Sequence, residues 1–545
     1  SSKTSRLIHV VAGLDPDKQM PPPDLGEALS SQEIGILRAW IDQGAKWDET
    51  VLPNPHRIIA KKHWAFQPIQ RPPVPANKFR VAPSTTENAP LTTTVNSIDS
   101  FIAQGHESEQ LLASPTADRA TLVRRLYLIL HGMPPTPQEL EQHTAEDRAW
   151  SDVVQDVLNS PHYGERMGRH WLDSARWAES EGYAQNNARP HAWRYRDYVT
   201  ESFNRDVSYA RFIKQQIAGD EMEPYSDENL IATGFLAAAR ISADDLHFYR
   251  AENDMYTDIV STLSRSVLGL TIGCARCHDH KFDPLSQEDY FGMQAIFAPS
   301  EKQYLHLHTP MMRGDWHWLY PRRTAVEEAK RALKAFRATI AGLELTEAEK
   351  AQEQTLKDAI VNSVMLLPDN ANSVPQEPFD ILMTSPTATV LGHTHPKLLK
   401  PVHFLDRGEL ELPKHVVGAK LPKALAIATN SPSDLSNQFE SRKALALWLT
   451  NGKHPLTSRV MMNRLWQWHF GRGIVATPND FGLMGAAPTH PDLLDWLASE
   501  FITRDWSLKE MHRLIMKSNT YQADSRTATD NNLAIDPENK YLWRM

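Results

Sequence analysis

The amino-acid sequence predicts a mainly α, multidomain protein with one small β unit. Its 545 residues exceed what a single hydrophobic core organises. Apolar residues recur with helical spacing along most of the chain, whereas short apolar runs that alternate with turns are confined to about residues 363–430. We therefore expect five successive regions: residues 1–50, a Pro-rich linker over 51–95, a helical region over 96–300, a helical hairpin and small β unit over 301–430, and a helical region over 431–545.

Composition limits the classes of partner. Lys and Arg total 58 against 67 Asp and Glu, and the net charge of −9 is mixed along the chain, which argues against nucleic-acid binding. No run approaches the roughly 18 to 20 apolar residues that cross a bilayer, so no membrane span is expected. Fifteen tryptophans and 37 prolines are compatible with a surface that binds carbohydrate.

The first region combines a Pro-rich loop with a short amphipathic helix. A Pro-rich loop carries Met20, and Ser30 or Ser31 with Glu33 is placed to cap a following helix. The apolar stripe of that helix is predicted to be buried and consists of Ile34, Leu37, Trp40 and Ile41. This loop and helix resemble the last third of a small cytochrome c. The resemblance implies that Met20 binds the iron of a haem whose attachment site lies upstream of Ser1. The alternative is that Met20 is an ordinary loop residue.

Both cysteines of the chain lie in residues 273–284, in the pattern C-x-x-C-H. Cys274, Cys277 and His278 match the attachment site of a c-type haem, in which two thiols bond the porphyrin and the adjacent imidazole binds the iron. Two alternatives remain: a thioredoxin-like redox pair, and a zinc site that would also use His280. We expect one covalent haem c here.

Neighbouring residues frame this motif. The helical spacing of Met255, Ile259, Leu263 and Val267 predicts a helix over 252–268, and Ser286 is predicted to cap the next helix. His280 is a candidate for contact with a haem propionate, for support of the iron ligand, or for catalytic acid/base chemistry. The distal iron position stays open: it is vacant or is filled by one of Met255, Met293, His247 and His306.

Residues 166–197 concentrate charged and aromatic side chains. His170 lies one helical turn from Asp173, and the same spacing places Asp173 and Trp177 on one face. One interpretation is a pocket in which His170 and Asp173 transfer protons. The other is a helical core that buried arginine–carboxylate pairs hold together. The same choice arises for Arg459, Asn463, Arg464, Trp466, His469 and Arg472, where a structural role is favoured.

Two charged helical stretches, 324–336 and 346–360, predict a hairpin. Its charges are most simply a solvated face, and a role in docking a protein partner is the alternative.

Several stretches together resemble the planctomycete-type cytochrome C family, in which a haem c domain precedes two associated regions of unknown function. Residues 96–102, 124–137, 163–177, 189–199, 203–206, 216–220 and 274–284 resemble the first of these regions. Residues 442–449, 459–466 and 479–482 resemble the second. The resemblance implies an exported bacterial protein, periplasmic or extracellular, and it supplies no reaction.

The function expected from these patterns is redox chemistry or electron transfer, with a redox partner protein and a sugar or polysaccharide as the expected substrate. Two other classes stay open. One is an extracellular polysaccharide-binding scaffold with a structural haem, and the other is a zinc-stabilised, hydrolase-like protein that uses His280, His170 and Asp173.

Overall fold

The computed structural model describes residues 2–14, 20–21, 27–45, 62–76, 80–81, 96–182, 186–189, 191–222, 226–240, 248–306, 332–333, 335–340, 346–365, 387–393, 401–435, 441–526 and 529–545. These residues are mostly helical, as the sequence predicts. The chain divides into two compact units, Ser1–Lys62 and His63–Met545.

The first unit contains two helices, α1 (Arg6–Val11) and α2 (Ser31–Asp42), within its described part. Ser30 caps α2 in a capping box with Glu33, as predicted. The predicted stripe of α2 faces inward, but its members are half-buried, not buried. No residue of α2 is fully buried, because the described part of this small unit offers the helix little apolar surface to cover it.

The second unit begins inside the predicted linker. Trp64–Phe66 form a 3-10 turn whose Ala65 and Phe66 are buried, and Arg71 pairs with Glu500. This stretch therefore packs on the helical body, and it is not a free linker. Most of residues 77–95 lie outside the described residues.

Helices build the body of the second unit. Its first part contains α3 (Ser97–Ser108), α4 (Arg119–Leu130), α5 (Pro137–Thr144), α6 (Trp150–Asn159), α7 (Pro161–Ser174), α8 (Ala192–Asn204), α9 (Tyr209–Ala218), α10 (Asp227–Ala232), α11 (Gly234–Ala237), α12 (Phe248–Leu263) and α13 (Gln287–Phe297). Later helices are α14 (Glu347–Met365), α15 (Lys423–Ala428), α16 (Ser441–Leu449), α17 (Thr457–Phe470), α18 (Pro491–Thr503), α19 (Leu508–Met516), α20 (Asn519–Gln522) and α21 (Asp530–Ile535).

Side-chain caps explain where several helices begin. Asp118 accepts a hydrogen bond from the Thr121 amide at the start of α4. Thr136 and Glu139 form a capping box at α5, where Pro137 occupies the first turn. Polar residues before an apolar period thus mark these boundaries in the sequence.

Strands are few among the described residues. Strand β1 (Ser300–His306) pairs antiparallel with β2 (Thr387–His393), and β3 (Val402–Leu405) pairs antiparallel with β4 (Pro413–Val417). Strands β2, β3 and β4 lie within the predicted β unit of about residues 363–430, whereas β1 precedes it and was not predicted. The second arm of the predicted hairpin is α14, whereas most of the first arm lies outside the described residues.

The core of the second unit is aromatic and aliphatic. Tryptophans contribute much of it, and the buried ones include Trp171, Trp448, Trp466, Trp496, Trp506 and Trp543. Much of the high tryptophan content therefore serves packing. Within the described part of the chain, no helix has the length and apolarity that a bilayer crossing requires.

Candidate functional site: the Cys-His loop

The Cys-His loop, residues 273–284, follows a predicted helix. Met255, Ile259, Leu263 and Val267 are all buried, which confirms the stripe of α12 and of the π-helical turn Ser264–Leu268 that extends it. Gly269 ends this turn in the left-handed conformation, with φ of 59°. A 3-10 turn, Ile272–Arg276, then carries Cys274, and Ser286 caps α13 in a capping box with Asp289, as predicted.

The three residues of the motif face solvent. Cys274 and Cys277 are free and exposed, and His278 is exposed beside them. The Nδ1 of His278 lies 2.7 Å from the backbone oxygen of Asp279. Because a carbonyl only accepts, Nδ1 carries the proton, and the lone pair of the neutral ring is on Nε2. This tautomer suits an imidazole that binds a metal through Nε2.

The backbone around these three residues is held by hydrogen bonds. The side-chain amide of Gln287 donates to the backbone oxygens of Arg276 and Leu405, at 2.8 Å each. A Cβ added at Gly408 would lie 3.1 Å from the sulfur of Cys277, so this glycine keeps the thiol uncrowded. The donor set and its exposure therefore fit a haem bound by two thioethers and one imidazole.

His280 differs from its neighbours in burial. Its Nδ1 accepts from the backbone amide of Asp283 at 2.8 Å, and its Nε2 lies 3.1 Å from the hydroxyl of Thr271. The first contact requires a bare Nδ1, so Nε2 carries the proton and donates to Thr271. Both ring nitrogens are thus engaged inside the protein. This geometry favours support of the motif among the roles that the sequence allows for His280.

Asp283 is the buried carboxylate of the loop. One of its oxygens accepts from the backbone amide of Leu483 at 2.8 Å. Burial raises the pKa of Asp283, and the Leu483 hydrogen bond opposes this. The contact joins positions far apart in the sequence, and no spacing rule predicts it.

The geometry bears on both alternatives to haem. A thioredoxin-like pair opens a helix after a strand, whereas Cys274 follows helical turns here. Among the described residues, no group of three or more His, Cys, Asp or Glu side chains is arranged to hold a metal ion. The zinc site proposed from Cys274, Cys277, His278 and His280 therefore has no preformed cage in that part of the chain.

The distal candidates are placed unevenly. Met255 and Met293 are buried in α12 and α13. His247 lies outside the described residues, and for His306 only the backbone, in β1, is described. Met20 belongs to the first unit, where its side chain is 53% exposed. The distal ligand thus stays a prediction, as does the role of Met20.

His170 and Asp173 both lie on α7. The His170 ring stacks on Trp468, with centroids 4.6 Å apart, and burial followed by the positive charge of Arg166 lowers the pKa of His170 to about 4. Asp173 is exposed and opposes this shift electrostatically. No hydrogen bond between their side chains occurs among the described contacts, and their catalytic role stays a prediction.

Buried and half-buried ion pairs account for other members of residues 166–197. Arg189 binds Glu181 at 2.6 Å and also donates to the carbonyls of Ala238 and Ala239. Arg176 binds Asp258 at 2.6 Å. These contacts match the structural interpretation of the segment.

The prediction that Trp177 shares a helical face with Asp173 is wrong. Helix α7 ends at Ser174, and Arg176 adopts a left-handed backbone with φ of 53°. Trp177 therefore lies beyond the helix, where its indole N–H donates to the Ala192 carbonyl.

The C-terminal charged set is mainly structural, as favoured. Arg459 binds Asp495 through two nitrogens, at 2.6 and 2.7 Å, and Asn463 pairs with the backbone of Val475. His469 bonds His512 at 2.8 Å within the core. Arg472, by contrast, forms an exposed pair with Glu538.

Two family models match the chain. Residues 97–302 match PSCyt2, a protein of unknown function (DUF1549), and residues 441–545 match PSD1, a protein of unknown function (DUF1553). They are the two regions of unknown function of the planctomycete cytochrome C family. No curated protein and no solved structure matches the chain. The Cys-His loop lies inside the first matched region.

Proposed function

We propose that the chain is an exported c-type haem protein that acts in electron transfer or in haem-dependent oxidation. The observation that carries this proposal is the Cys-His loop: two free, exposed thiols and an exposed imidazole whose Nε2 holds the lone pair. Cys274 and Cys277 would hold the haem, and His278 would bind its iron. When bound, the haem supplies a one-electron carrier.

The protein contributes orientation at this site. The Asp279 carbonyl holds the proton of His278 on Nδ1, which keeps Nε2 available and makes the ring a better donor. The side chain of Gln287 hydrogen-bonds the Arg276 carbonyl and the Leu405 carbonyl of β3. The ring of His280 hydrogen-bonds the Asp283 amide and the Thr271 hydroxyl. A covalent c-type haem agrees with export, because attachment takes place outside the cytoplasm. A redox partner protein and a sugar substrate belong to the same proposal.

Met20 would bind the iron of a second haem attached upstream in a longer parent protein. This part of the proposal draws on the resemblance to a cytochrome c and on the inward-facing stripe of α2. If it is correct, the second haem of that parent protein binds carbon monoxide only after Met20→Ala.

The deciding experiment is expression in a host that exports proteins and matures haem c. We expect a reduced-minus-oxidised c-type spectrum, and a pyridine haemochrome that survives acid–acetone extraction, with about one haem per chain. The double variant Cys274→Ser, Cys277→Ser should lose the covalent haem. Unloaded protein that contains stoichiometric zinc would contradict the proposal.

A further inference from the structure

The Cys-His loop is held from outside the first matched region. The contacts come from residues 479–483, here called the clamp turn, which belong to the second matched region. They reach Gly269, which precedes the loop, and Asp283, near the end of the loop, whereas the three motif residues between these two points face solvent.

The first contact of the clamp turn is with Asp283. The amide of Leu483 donates to its carboxylate at 2.8 Å, and Asp283 is only 2% exposed. The carboxylate presses against Gly482, where an added Cβ would lie 2.3 Å from the nearer oxygen. Only glycine permits this approach, so the clamp turn is shaped to the aspartate.

The second contact of the clamp turn is with Gly269, just before the loop. The amide of Phe481 donates to the Gly269 carbonyl at 2.7 Å, and the Phe481 ring is completely buried. A Cβ at Gly269 would lie 2.9 Å from that ring. Arg464 adds a bridge, because one of its nitrogens donates both to the Arg265 carbonyl and to the side chain of Asn479.

His280 connects the contact with Asp283 to the cysteines. Its Nδ1 accepts from the Asp283 amide, and its Nε2 donates to the hydroxyl of Thr271. The Thr271 carbonyl in turn accepts from the Cys274 amide at 2.9 Å. A continuous series of hydrogen bonds therefore runs from Leu483 through Asp283, His280 and Thr271 to the first cysteine.

We infer that the second matched region completes the Cys-His site, with Asp283, Gly482 and His280 as positioning residues that fix the backbone of the two cysteines and His278. This explains why two regions of unknown function share one chain: the first carries the reactive groups, and the second holds them. The inference deepens the proposed function and rests on it for the haem, although its contacts do not depend on haem.

Amide hydrogen exchange on the haem-free full chain tests the clamp directly. We expect Asp283→Ala and Gly482→Ala to speed exchange of residues 271–280 by at least about tenfold relative to the rest of the second unit. Asp283→Asn keeps an oxygen that can accept from Leu483 and should restore most of the protection. Asp254→Asn is the matched control, since it removes a half-exposed carboxylate 3.8 Å from Arg276 without touching the clamp turn.

The same variants with haem attached provide a readout that a purely structural role would not move. The midpoint potential should shift in Asp283→Ala and Gly482→Ala, and should stay nearest the wild-type value in Asp283→Asn. If Asp283→Ala does not fold, Gly482→Ala carries the comparison alone. Unchanged exchange of residues 271–280 in Gly482→Ala overturns the inference.

The two proposals can fail separately. A wild-type protein that holds no covalent haem refutes the proposed function. Faster exchange in Gly482→Ala would still support the clamp in that protein.

Discussion

The Cys-His loop and residues 166–197 are both dense in chemically capable side chains, and the structure treats them in opposite ways. In the loop, Cys274, Cys277 and His278 face solvent, while neighbouring residues form hydrogen bonds within the protein. In residues 166–197, Arg176 and Arg189 turn inward and are neutralised by carboxylates.

The difference separates two kinds of polar cluster. In a binding site the reactive atoms have no protein partner, while the residues around them are hydrogen-bonded. In a structural cluster the reactive atoms themselves have hydrogen-bond or ion-pair partners within the protein. Residue types alone do not distinguish the two segments, because each contains histidine, acidic residues and basic residues. Burial and hydrogen-bond partners distinguish them here.

The largest effect that would test this contrast is expected at Arg189. Arg189→Ala removes the ion pair with the mostly buried Glu181 and the hydrogen bonds to two backbone carbonyls, and should lower the free energy of unfolding by about 3 kcal/mol. Guanidinium denaturation of the whole chain measures it. The control Arg196→Ala removes two exposed ion pairs, with Glu179 and Asp197, and should cost less than about 1 kcal/mol in total. Equal costs would mean that the segment is an open pocket.

Much of the frame could be predicted from the sequence, because it depends on local patterns. Helix α12 follows its four-residue apolar period, and the capping boxes at Ser30 and Ser286 follow from a serine with an acid three residues later. The C-x-x-C-H spacing located the candidate site. These signals lie within a few residues of one another.

The parts that could not be predicted depend on distant contacts or on local backbone strain. Asp283 meets Leu483 across 200 positions, and nothing in residues 273–284 indicates that partner. The supporting role of His280 follows from its contacts with the Asp283 amide and the Thr271 hydroxyl, which the residue spacing alone does not reveal. Helix α7 ends at Ser174, and the left-handed backbone of Arg176 then takes Trp177 off the helical face that the residue spacing predicts.

A smaller effect, on pH dependence, sharpens the contrast at His170. Burial lowers its pKa to about 4, so the unfolded chain takes up a proton below about pH 6.5 while the folded protein does not. The contribution of His170 to the free energy of unfolding is therefore complete above pH 6.5 and is lost as the pH falls toward 4. Discounted for partial exposure, the loss between pH 7 and pH 5 is about 1 kcal/mol.

His170→Phe keeps a ring that can stack on Trp468 and removes the titration. Its free energy of unfolding should fall less than that of the wild type between pH 7 and pH 5, in denaturant titrations at each pH. Arg196→Ala should run parallel to the wild type. A His170→Phe curve that also runs parallel would place the His170 ring in water, as expected for an open site.

The smallest effect is expected at the cysteines themselves. In haem-free protein, Cys274→Ser with Cys277→Ser should change the free energy of unfolding by less than about 0.5 kcal/mol, because both thiols are exposed and unbonded. Denaturation under reducing conditions measures this difference. A loss of several kcal/mol in the free energy of unfolding would show that the thiols stabilise the fold. That result would remove the contrast with residues 166–197. A small cost together with complete loss of covalent haem would instead assign the pair to ligand attachment, since a residue kept for packing cannot be replaced at no cost.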